Sequence, residues 1–189
     1  MTADEHVVRI RALCVPGGPL APDSPTSSVR NKAWFREGAD GVYEARAARQ
    51  LLHERLLELE WGEWSAPAPQ GRRPKAVVLA GPPGAGKSTI TREVLGETHG
   101  YLEIDADRFK GHLLTQALSD GSLEGWVKPI AVKELETQGE RFAPLEFSAL
   151  VHEESSLLAQ ELRDLAIEAK RDLIVDTVLG GDTPAKALA

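Results

Sequence analysis

The chain has 189 residues, of which 42% are hydrophobic and 27% are charged, and its formal net charge at pH 7 is −7. These values are typical of one globular domain, or of one domain with an N-terminal extension. The acidic balance gives no bulk electrostatic reason to expect a nucleic-acid or acidic-membrane partner, although a local basic groove stays compatible with it.

Cys14 is the only cysteine, which excludes an intrachain disulfide and favours a reducing compartment. Asp4 and Glu5 stand where a secretory signal would carry positive charge, and no apolar run approaches the length of a membrane span. We therefore expect a soluble, cytoplasmic protein without a membrane partner.

The first part of the chain, residues 1–73, is predicted to be an N-terminal extension. Residues 1–38 are rich in turn-forming Pro, Gly and Ser and are predicted to be irregular, with a weak signal for a short strand over 7–13. Apolar positions at helical spacing predict an amphipathic helix over about 40–61. This helix either packs on the main domain or offers a docking surface for a partner protein. A Pro-rich linker then leads into residues 74–189.

Strands and helices alternate in this second domain. The predicted elements are strands over 75–80, 100–105 and 173–176, and helices over 89–97 and 151–171. Such alternation is typical of an α/β fold in which helices flank a parallel sheet. The segment between, residues 111–150, is predicted to be polar with turns and does not identify a substrate.

The most specific motif lies between the first predicted strand and the helix after it. The motif G-x-x-x-x-G-K-[ST], the phosphate-binding P-loop, is matched by Gly81, Pro82, Pro83, Gly84, Ala85, Gly86, Lys87 and Ser88, followed by Thr89. Glycines let the backbone approach a phosphate closely, and the loop N–H groups with the helix N-terminus form an anion nest. Lys87 is expected to reach the β- and γ-phosphates of ATP, and the Ser88 hydroxyl to bind Mg²⁺. A glycine turn that matches by accident is disfavoured by the flanking strand and helix.

Acidic residues follow the other two predicted strands. The carboxylate of Asp176 is expected to help hold Mg²⁺, directly or through water, and the alternative is a cap of the next turn. Asp105 and Asp107 follow the second strand, where one carboxylate would take a proton from an acceptor hydroxyl and the other would cap the next helix. The alternative is that both are caps or solvated charges. Because the carboxyl ends of parallel strands meet at one edge, these segments are expected to form one site.

Three further residues are weaker candidates. Arg108 is a candidate for contact with a transferring phosphate, although a lone arginine is more often a solvated charge. His152 and Ser155 lie at the start of the long helix, where capping is the simpler explanation and substrate contact is the alternative.

Four segments together resemble the zeta toxin family: the P-loop, residues 104–110, 152–156 and 174–177. The resemblance implies a P-loop kinase of a toxin–antitoxin system that uses ATP and Mg²⁺ to phosphorylate the 3′-hydroxyl of the amino sugar in UDP-N-acetylglucosamine. It implies that Lys87 binds the transferred phosphate, that Ser88 holds Mg²⁺ and that Asp107 is the catalytic base. It also implies a small helical antitoxin that covers the nucleotide site.

Two departures from the family pattern stand out. Asp176 is followed directly by Thr177, whereas the family often has an acid-Gly-Thr order, so the usual role of Thr177 at the substrate is in question. Family members also continue well beyond this strand, with further strands and phosphate-clamping arginines. We therefore expect an incomplete C-terminal part, which a truncation, completion by a partner or an impaired protein would each explain.

Three functions remain open from the sequence. The first is the UDP-sugar kinase, and the second is a kinase for another small molecule such as an antibiotic, a nucleoside or a sugar. The third is a nucleotide-binding module without transfer activity that acts through protein contacts. Asp107→Ala separates these classes, because a kinase would lose turnover and keep ATP binding, whereas a binding module would be unaffected.

Overall fold

The computed structural model describes residues 2–39, 41–63, 71–81, 85–95 and 100–177, without the side chains of Glu63, Ser88 and Thr177. In chain order its helices and strands are α1 (Ala3–Leu13), β1 (Phe35–Glu37), β2 (Tyr43–Ala45), α2 (Ala47–Glu63), β3 (Ala76–Ala80), α3 (Lys87–Leu95), β4 (Leu102–Asp105), α4 (Ala106–Ser119), α5 (Ile130–Thr137), α6 (His152–Glu168) and β5 (Leu173–Thr177). Short 3₁₀ or π turns lie at Ser28–Arg30, Leu123–Val127 and Pro144–Val151.

The chain divides into two compact units that alternate along the sequence. The first unit contains Met1–Leu56 and Ala106–Leu158, and the second contains Leu57–Asp105 and Ala159–Ala189. Helices α2 and α6 therefore each run from the first unit into the second. The predicted division between residues 73 and 74 stays a prediction.

The strand signal over residues 7–13 is wrong, because this segment belongs to helix α1. The N–H of Glu5 donates to the Thr2 hydroxyl at 3.2 Å, and the N–H of Thr2 donates to the Glu5 carboxylate at 2.7 Å. This reciprocal pair satisfies donors that the first helical turn leaves open. Asp4 in the first turn and Arg11 in the last also suit the helix dipole.

A small hairpin precedes helix α2. Strands β1 and β2 pair antiparallel, with Phe35 opposite Ala45 and Glu37 opposite Tyr43. The helix predicted over 40–61 consequently begins only at Ala47 and continues to Glu63. Residues 43–45, which were predicted to be helical, form β2 and pair with β1. The prediction missed this pairing because β1 lies within residues 1–38, which were predicted to be irregular.

The core of the first unit forms between α4 and the turn at Pro144–Val151. Phe109 and Leu113 of α4 and Phe147 of the turn are each at most 1% exposed. Burial of one such side chain stabilises the fold by roughly 1.5–3 kcal/mol. Residues 111–150, read from the sequence as polar with turns, thus contain most of α4, α5 and two tight turns.

The second unit contains a parallel sheet with strand order β3–β5–β4. Ala76 pairs with Leu173 across β3 and β5, and Leu102 pairs with the same residue from β4. Helix α3 contacts β3. The predicted α/β class, a parallel sheet with flanking helices, is confirmed, and all of its strands lie within two residues of their predicted positions.

One carboxylate organises the start of this sheet. Asp172 is 4% exposed, and its Oδ1 accepts hydrogen bonds from Arg72 Nη1 at 2.9 Å and from the Lys75 N–H at 2.7 Å. The backbone around it joins the neighbouring strands, since the N–H of Leu102 donates to the Asp172 carbonyl at 2.8 Å. The hydrogen bonds from Arg72 lower the pKa of Asp172, with a further contribution from the Lys75 N–H, and together they outweigh the effect of burial.

Among the helices that the structure describes, none combines the length and the apolar character needed to cross a membrane.

Candidate functional site

The strand ends of the second unit bring together three of the segments singled out in the sequence. In the sheet, Leu79 pairs with Asp176 across β3 and β5, and Asp105 pairs with Asp176 across β4 and β5. Gly81, which follows β3, therefore lies at the same edge as both aspartates. This is the carboxyl edge of a parallel sheet, where open α/β folds bind their ligands.

The end of the P-loop has the backbone needed to start helix α3. Gly86 has φ +77°, a conformation that residues with a Cβ rarely adopt. Its carbonyl accepts from the N–H groups of Thr89 at 3.0 Å and Ile90 at 3.1 Å, which are the first bonds of the helix. The helix thus begins at Lys87 and points the N–H groups of its first turn back towards the loop. Pro82, Pro83 and Gly84 lie outside the described residues, and Ala85 is exposed.

Lys87 connects the loop to the end of β5. Its Nζ donates to the Gly81 carbonyl at 2.8 Å and lies 2.7 Å from Oδ1 of Asp176. The side chains of Lys87 and Asp176 are 18% and 27% exposed, so both groups can still be reached from solvent. The ammonium is held by two oxygen acceptors, and phosphate oxygens are acceptors of the same kind.

The residues at this edge fit Mg²⁺ by the chemistry of their donors. Mg²⁺ prefers oxygen ligands and usually keeps several waters while bridging one or two protein groups to substrate phosphates. Asp176 supplies carboxylate oxygens at the strand end, and Ser88 is the second residue of α3. Within the described part of the chain, no group of three or more His, Cys, Asp or Glu forms a metal site by itself.

Asp105 and Asp107 belong to different units. Asp105 ends the strand and is half-buried. Asp107 lies in the first turn of α4, in the first unit, and its side chain is 76% exposed. Lys110 Nζ lies 2.7 Å from Oδ1 of Asp107, an ion pair between residues one helical turn apart. The role of Asp107 as a base stays a prediction.

The weaker candidates have the following surroundings in the first unit. Arg108 is half-buried in the first turn of α4, and His152 is exposed at the start of α6. Ser155 is fully buried, and its hydroxyl donates to the His152 carbonyl at 2.8 Å. A hydroxyl bonded within its own helix explains Ser155 by local structure. Thr177 ends β5, and its side chain is outside the described atoms.

Glu154 is a residue whose role the sequence reading missed. It is fully buried, and Arg49 binds it with two parallel hydrogen bonds, Nε to Oε1 at 2.5 Å and Nη2 to Oε2 at 2.9 Å. His53 Nε2 lies 2.7 Å from the same Oε1, and Trp34 covers the Arg49 guanidinium at 4.2 Å. Burial raises the pKa of Glu154, but the hydrogen bonds from His53 and Arg49 outweigh it and hold the pKa below its usual value.

This cluster anchors the start of α6 to α2. Arg49 and Glu154 are 105 positions apart in the sequence, so no local sequence pattern links them. The acidic first turn of α6 was explained by capping, and that explanation still fits Glu153, which is exposed.

Comparison with known proteins supports the resemblance over part of the chain. Residues 60–113 match the family model described as Zeta toxin, a stretch that contains the P-loop, Asp105 and Asp107. The predicted resemblance to this family is confirmed there. No curated protein matches the chain.

Two solved structures are similar to this chain. A chain from the PezAT chromosomal toxin–antitoxin system of Streptococcus pneumoniae is 18% identical to this chain, with a TM-score of 0.46. The alignment covers 76% of this chain and 51% of that chain. A chain from the AvrRxo1-ORF1:AvrRxo1-ORF2 structure with sulphate ions is 22% identical to this chain, with a TM-score of 0.46. The alignment covers 81% of this chain and 50% of that chain. The chain spans about half the length of each of these proteins.

Proposed function

We propose that this chain is an ATP-dependent phosphotransferase of zeta-toxin type, which transfers the γ-phosphate of ATP to a hydroxyl of UDP-N-acetylglucosamine. The observation that carries the proposal is the position of Lys87, held between the Gly81 carbonyl and Asp176 at the carboxyl edge of a parallel sheet. The family match over residues 60–113 supports the phosphotransferase class. The choice of acceptor rests on the family resemblance alone.

Lys87 and the loop backbone bind the nucleotide in this proposal. The ammonium exchanges Gly81 and Asp176 for oxygens of the β- and γ-phosphates, and N–H groups at the start of α3 add further donors. Charge-assisted hydrogen bonds of this kind are about twice as strong as neutral ones. The exchange also releases the Asp176 carboxylate.

Ser88 and Asp176 are the residues that would hold Mg²⁺. When bound there, the ion would supply positive charge beside the phosphate oxygens. Asp176 contributes a carboxylate on β5, and Ser88 contributes a hydroxyl from the first turn of α3. Their oxygens are the ligand type that Mg²⁺ prefers.

Asp107 prepares the acceptor. Its carboxylate accepts the proton of the sugar hydroxyl while the oxygen forms a bond to the γ-phosphorus, and the bond from that phosphorus to the β–γ bridging oxygen breaks to release ADP. This carboxylate forms an ion pair with Lys110, so turnover requires Asp107 to exchange that contact for the hydroxyl.

The same proposal includes the partner and the setting. A small helical antitoxin that covers the nucleotide site follows from the family resemblance. A cytoplasmic location rests on the single cysteine and the acidic N-terminus, and the division into an extension (1–73) and a kinase domain (74–189) rests on the Pro-rich linker. A pull-down with the product of a neighbouring reading frame, repeated with saturating ATP, tests the partner. Loss of capture with ATP supports an antitoxin at the nucleotide site, and equal capture contradicts it.

The decisive experiment measures transfer of label from γ-labelled ATP to UDP-N-acetylglucosamine in the presence of Mg²⁺. Lys87→Ala should abolish transfer and weaken ATP binding. Asp107→Asn should reduce turnover by at least about a hundredfold and leave ATP binding nearly unchanged. Asp164→Asn, a change of another exposed helical aspartate paired with Arg163, is the matched control and should do neither.

Two results would contradict parts of the proposal. Label that reaches a nucleoside, an antibiotic or another sugar, but not the UDP-sugar, would keep the chemistry and reject the acceptor. ATP binding without transfer to any of these acceptors, unaffected by Asp107→Asn, would favour a nucleotide-binding module.

A further inference from the structure

A basic cavity lies within the first unit, and none of the candidate site residues lines it. It has a volume of about 350 Å³ and is lined by residues of the turn at Ser28–Arg30, of the β1–β2 hairpin and of the chain next to them. This volume is near the lower end of the range for small-molecule sites in proteins.

Cations dominate the lining of this cavity. Arg30, Lys32, Arg36 and Arg46 are all exposed side chains at its wall. Such a concentration is unexpected in a chain with a net charge of −7, so it produces a local positive potential against an acidic background. Bulk composition gives no indication of it.

Only part of this positive charge is neutralised within the described chain. Arg36 pairs with Glu44 on the neighbouring strand, and Glu37 is the one acidic side chain among the lining residues. Within the described residues, neither Arg30 nor Lys32 forms an ion pair with a carboxylate. Two cations are therefore available to an anion, and an arginine guanidinium matches a phosphate group with two parallel hydrogen bonds.

Tyr43 is the aromatic lining residue that a ligand can reach. Val29 and Phe35 are 3% and 2% exposed, so neighbouring protein atoms already cover them beneath the cavity. Tyr43 is half-buried and keeps part of its surface open. An inorganic ion would leave this ring without a partner, whereas a ligand with a planar part would stack on it.

Backbone hydrogen bonds hold the walls in place. The carbonyl of Asn31 accepts from the N–H groups of Trp34 at 2.9 Å and Phe35 at 2.8 Å. The N–H of Arg46 donates to the Trp34 carbonyl at 2.7 Å, and its Nε donates to the Phe35 carbonyl at 3.4 Å. The cavity is thus bounded by the hydrogen-bonded hairpin, and the backbone as well as the side chains determines its shape.

We propose that this cavity is a binding site for a small organic phosphate, with a nucleoside monophosphate as the best fit. The phosphate group would contact Arg30 and Lys32, and the base would lie against Tyr43. An acidic peptide would also be attracted by the cations, but it would not need a cavity of this volume beside an accessible aromatic ring. The observations therefore favour the nucleotide.

Calorimetric titration of the full-length chain with AMP tests the proposal, with adenosine and inorganic phosphate as partial ligands. Titrations are made in a Lys87→Ala background, so that the P-loop does not contribute. AMP should bind, and each partial ligand should bind at least about tenfold more weakly because it fills only half of the site. Arg30→Gln and Lys32→Gln should each weaken AMP binding by about tenfold, as expected for loss of one charge-assisted hydrogen bond.

Arg11→Gln is the matched control, since Arg11 is an exposed arginine of the same unit outside the cavity. It should leave AMP affinity unchanged. No AMP binding, or equal losses in Arg11→Gln and Arg30→Gln, would overturn the proposal. Equal affinity for AMP and inorganic phosphate, or tighter binding of poly-glutamate that depends on Arg30 and Lys32, would overturn the nucleotide assignment.

The outcome is separable from that of the kinase proposal. The comparison of AMP affinity between Arg30→Gln and Arg11→Gln needs no catalytic activity. If Lys87→Ala fails to fold, the same two variants are compared in the otherwise wild-type chain. Circular dichroism of each variant confirms that the exposed substitutions have kept the fold.

Discussion

The Nζ of Lys87 lies 2.7 Å from Oδ1 of Asp176, so the first residue of α3 and the fourth residue of β5 form an ion pair. In the proposed function both groups have other partners, a phosphate for the lysine and Mg²⁺ for the aspartate. Each neutralises the other in the structure. In the proposed function Lys87 and Asp176 would exchange this contact for the phosphate and the metal, which would couple the two binding events.

Asp176→Asn should separate these two effects. Without Mg²⁺, in EDTA, ADP should bind as tightly as to the wild type or a few-fold more tightly, because Lys87 no longer has a carboxylate competitor. Addition of Mg²⁺ should raise the ADP affinity of the variant about tenfold less than it raises that of the wild type, because a metal ligand has been lost. Calorimetric titration with and without the metal measures both quantities. A gain equal to that of wild type would remove Asp176 from the metal site, and Asp164→Asn serves as the charge control.

Substitution of Gly86 and of Gly111 by alanine should change the free energy of unfolding in opposite directions. Gly86→Ala places a Cβ on a residue with φ +77°, which costs about 1–2 kcal/mol in the free energy of unfolding. Gly111 lies inside α4, and a Cβ there meets no atom within 4 Å. Gly111→Ala should therefore stabilise the protein by up to about 1 kcal/mol. Urea denaturation measures both, and a neutral Gly86→Ala would show that the loop tolerates another conformation.

Stability should fall as the medium becomes acidic, and Glu154 should account for part of the fall. Its pKa in the folded state lies below the ordinary value of 4.5, so its contribution is fully present above that value. The contribution is lost as the pH falls through the lower, folded-state pKa. Urea denaturation between pH 7 and pH 3 should show this loss, and Glu154→Gln should be less stable at pH 7 with a flatter pH dependence. Parallel curves for the two proteins would contradict the assignment.

Asp172→Asn should loosen the start of the sheet. The variant loses the ion pair with Arg72 but retains one acceptor for the Lys75 N–H. Because Arg72 is 44% exposed, solvent screens the pair, and we expect a loss of about 1–3 kcal/mol in the free energy of unfolding. The exposed change Asp164→Asn should stay within about 0.5 kcal/mol of wild type. Equal effects of the two variants would show that Asp172 is not an anchor.

The sheet and the P-loop were readable from sequence because both depend on local patterns. Three short apolar runs marked the strands, and a glycine-rich segment marked the loop between a strand and a helix. The strand ends then placed Asp105 and Asp176 beside the loop, since parallel strands share one carboxyl edge. These predictions needed no knowledge of contacts between distant parts of the chain.

Features built from distant or very short segments escaped the sequence reading. Arg49 and Glu154 meet across 105 positions, and β1 and β2 have three residues each. Such short strands show no readable alternation, so the cavity beside them was hidden within a segment taken as irregular. Helix α1 was different, because Thr2 and Glu5 form a capping box that the sequence already contained.

Strand β5 carries an aspartate near each of its ends, and the two differ in how firmly they are bound. Asp172 is tied to Arg72 and to the Lys75 backbone, whereas Asp176 is bound to a lysine side chain that other anions can attract. Only residues 173–175 separate them. The sheet can therefore change its chemistry at one end without losing its assembly at the other. A laboratory selection for new nucleotide or metal preferences could accordingly vary Asp176 and its neighbours while Asp172 is kept constant.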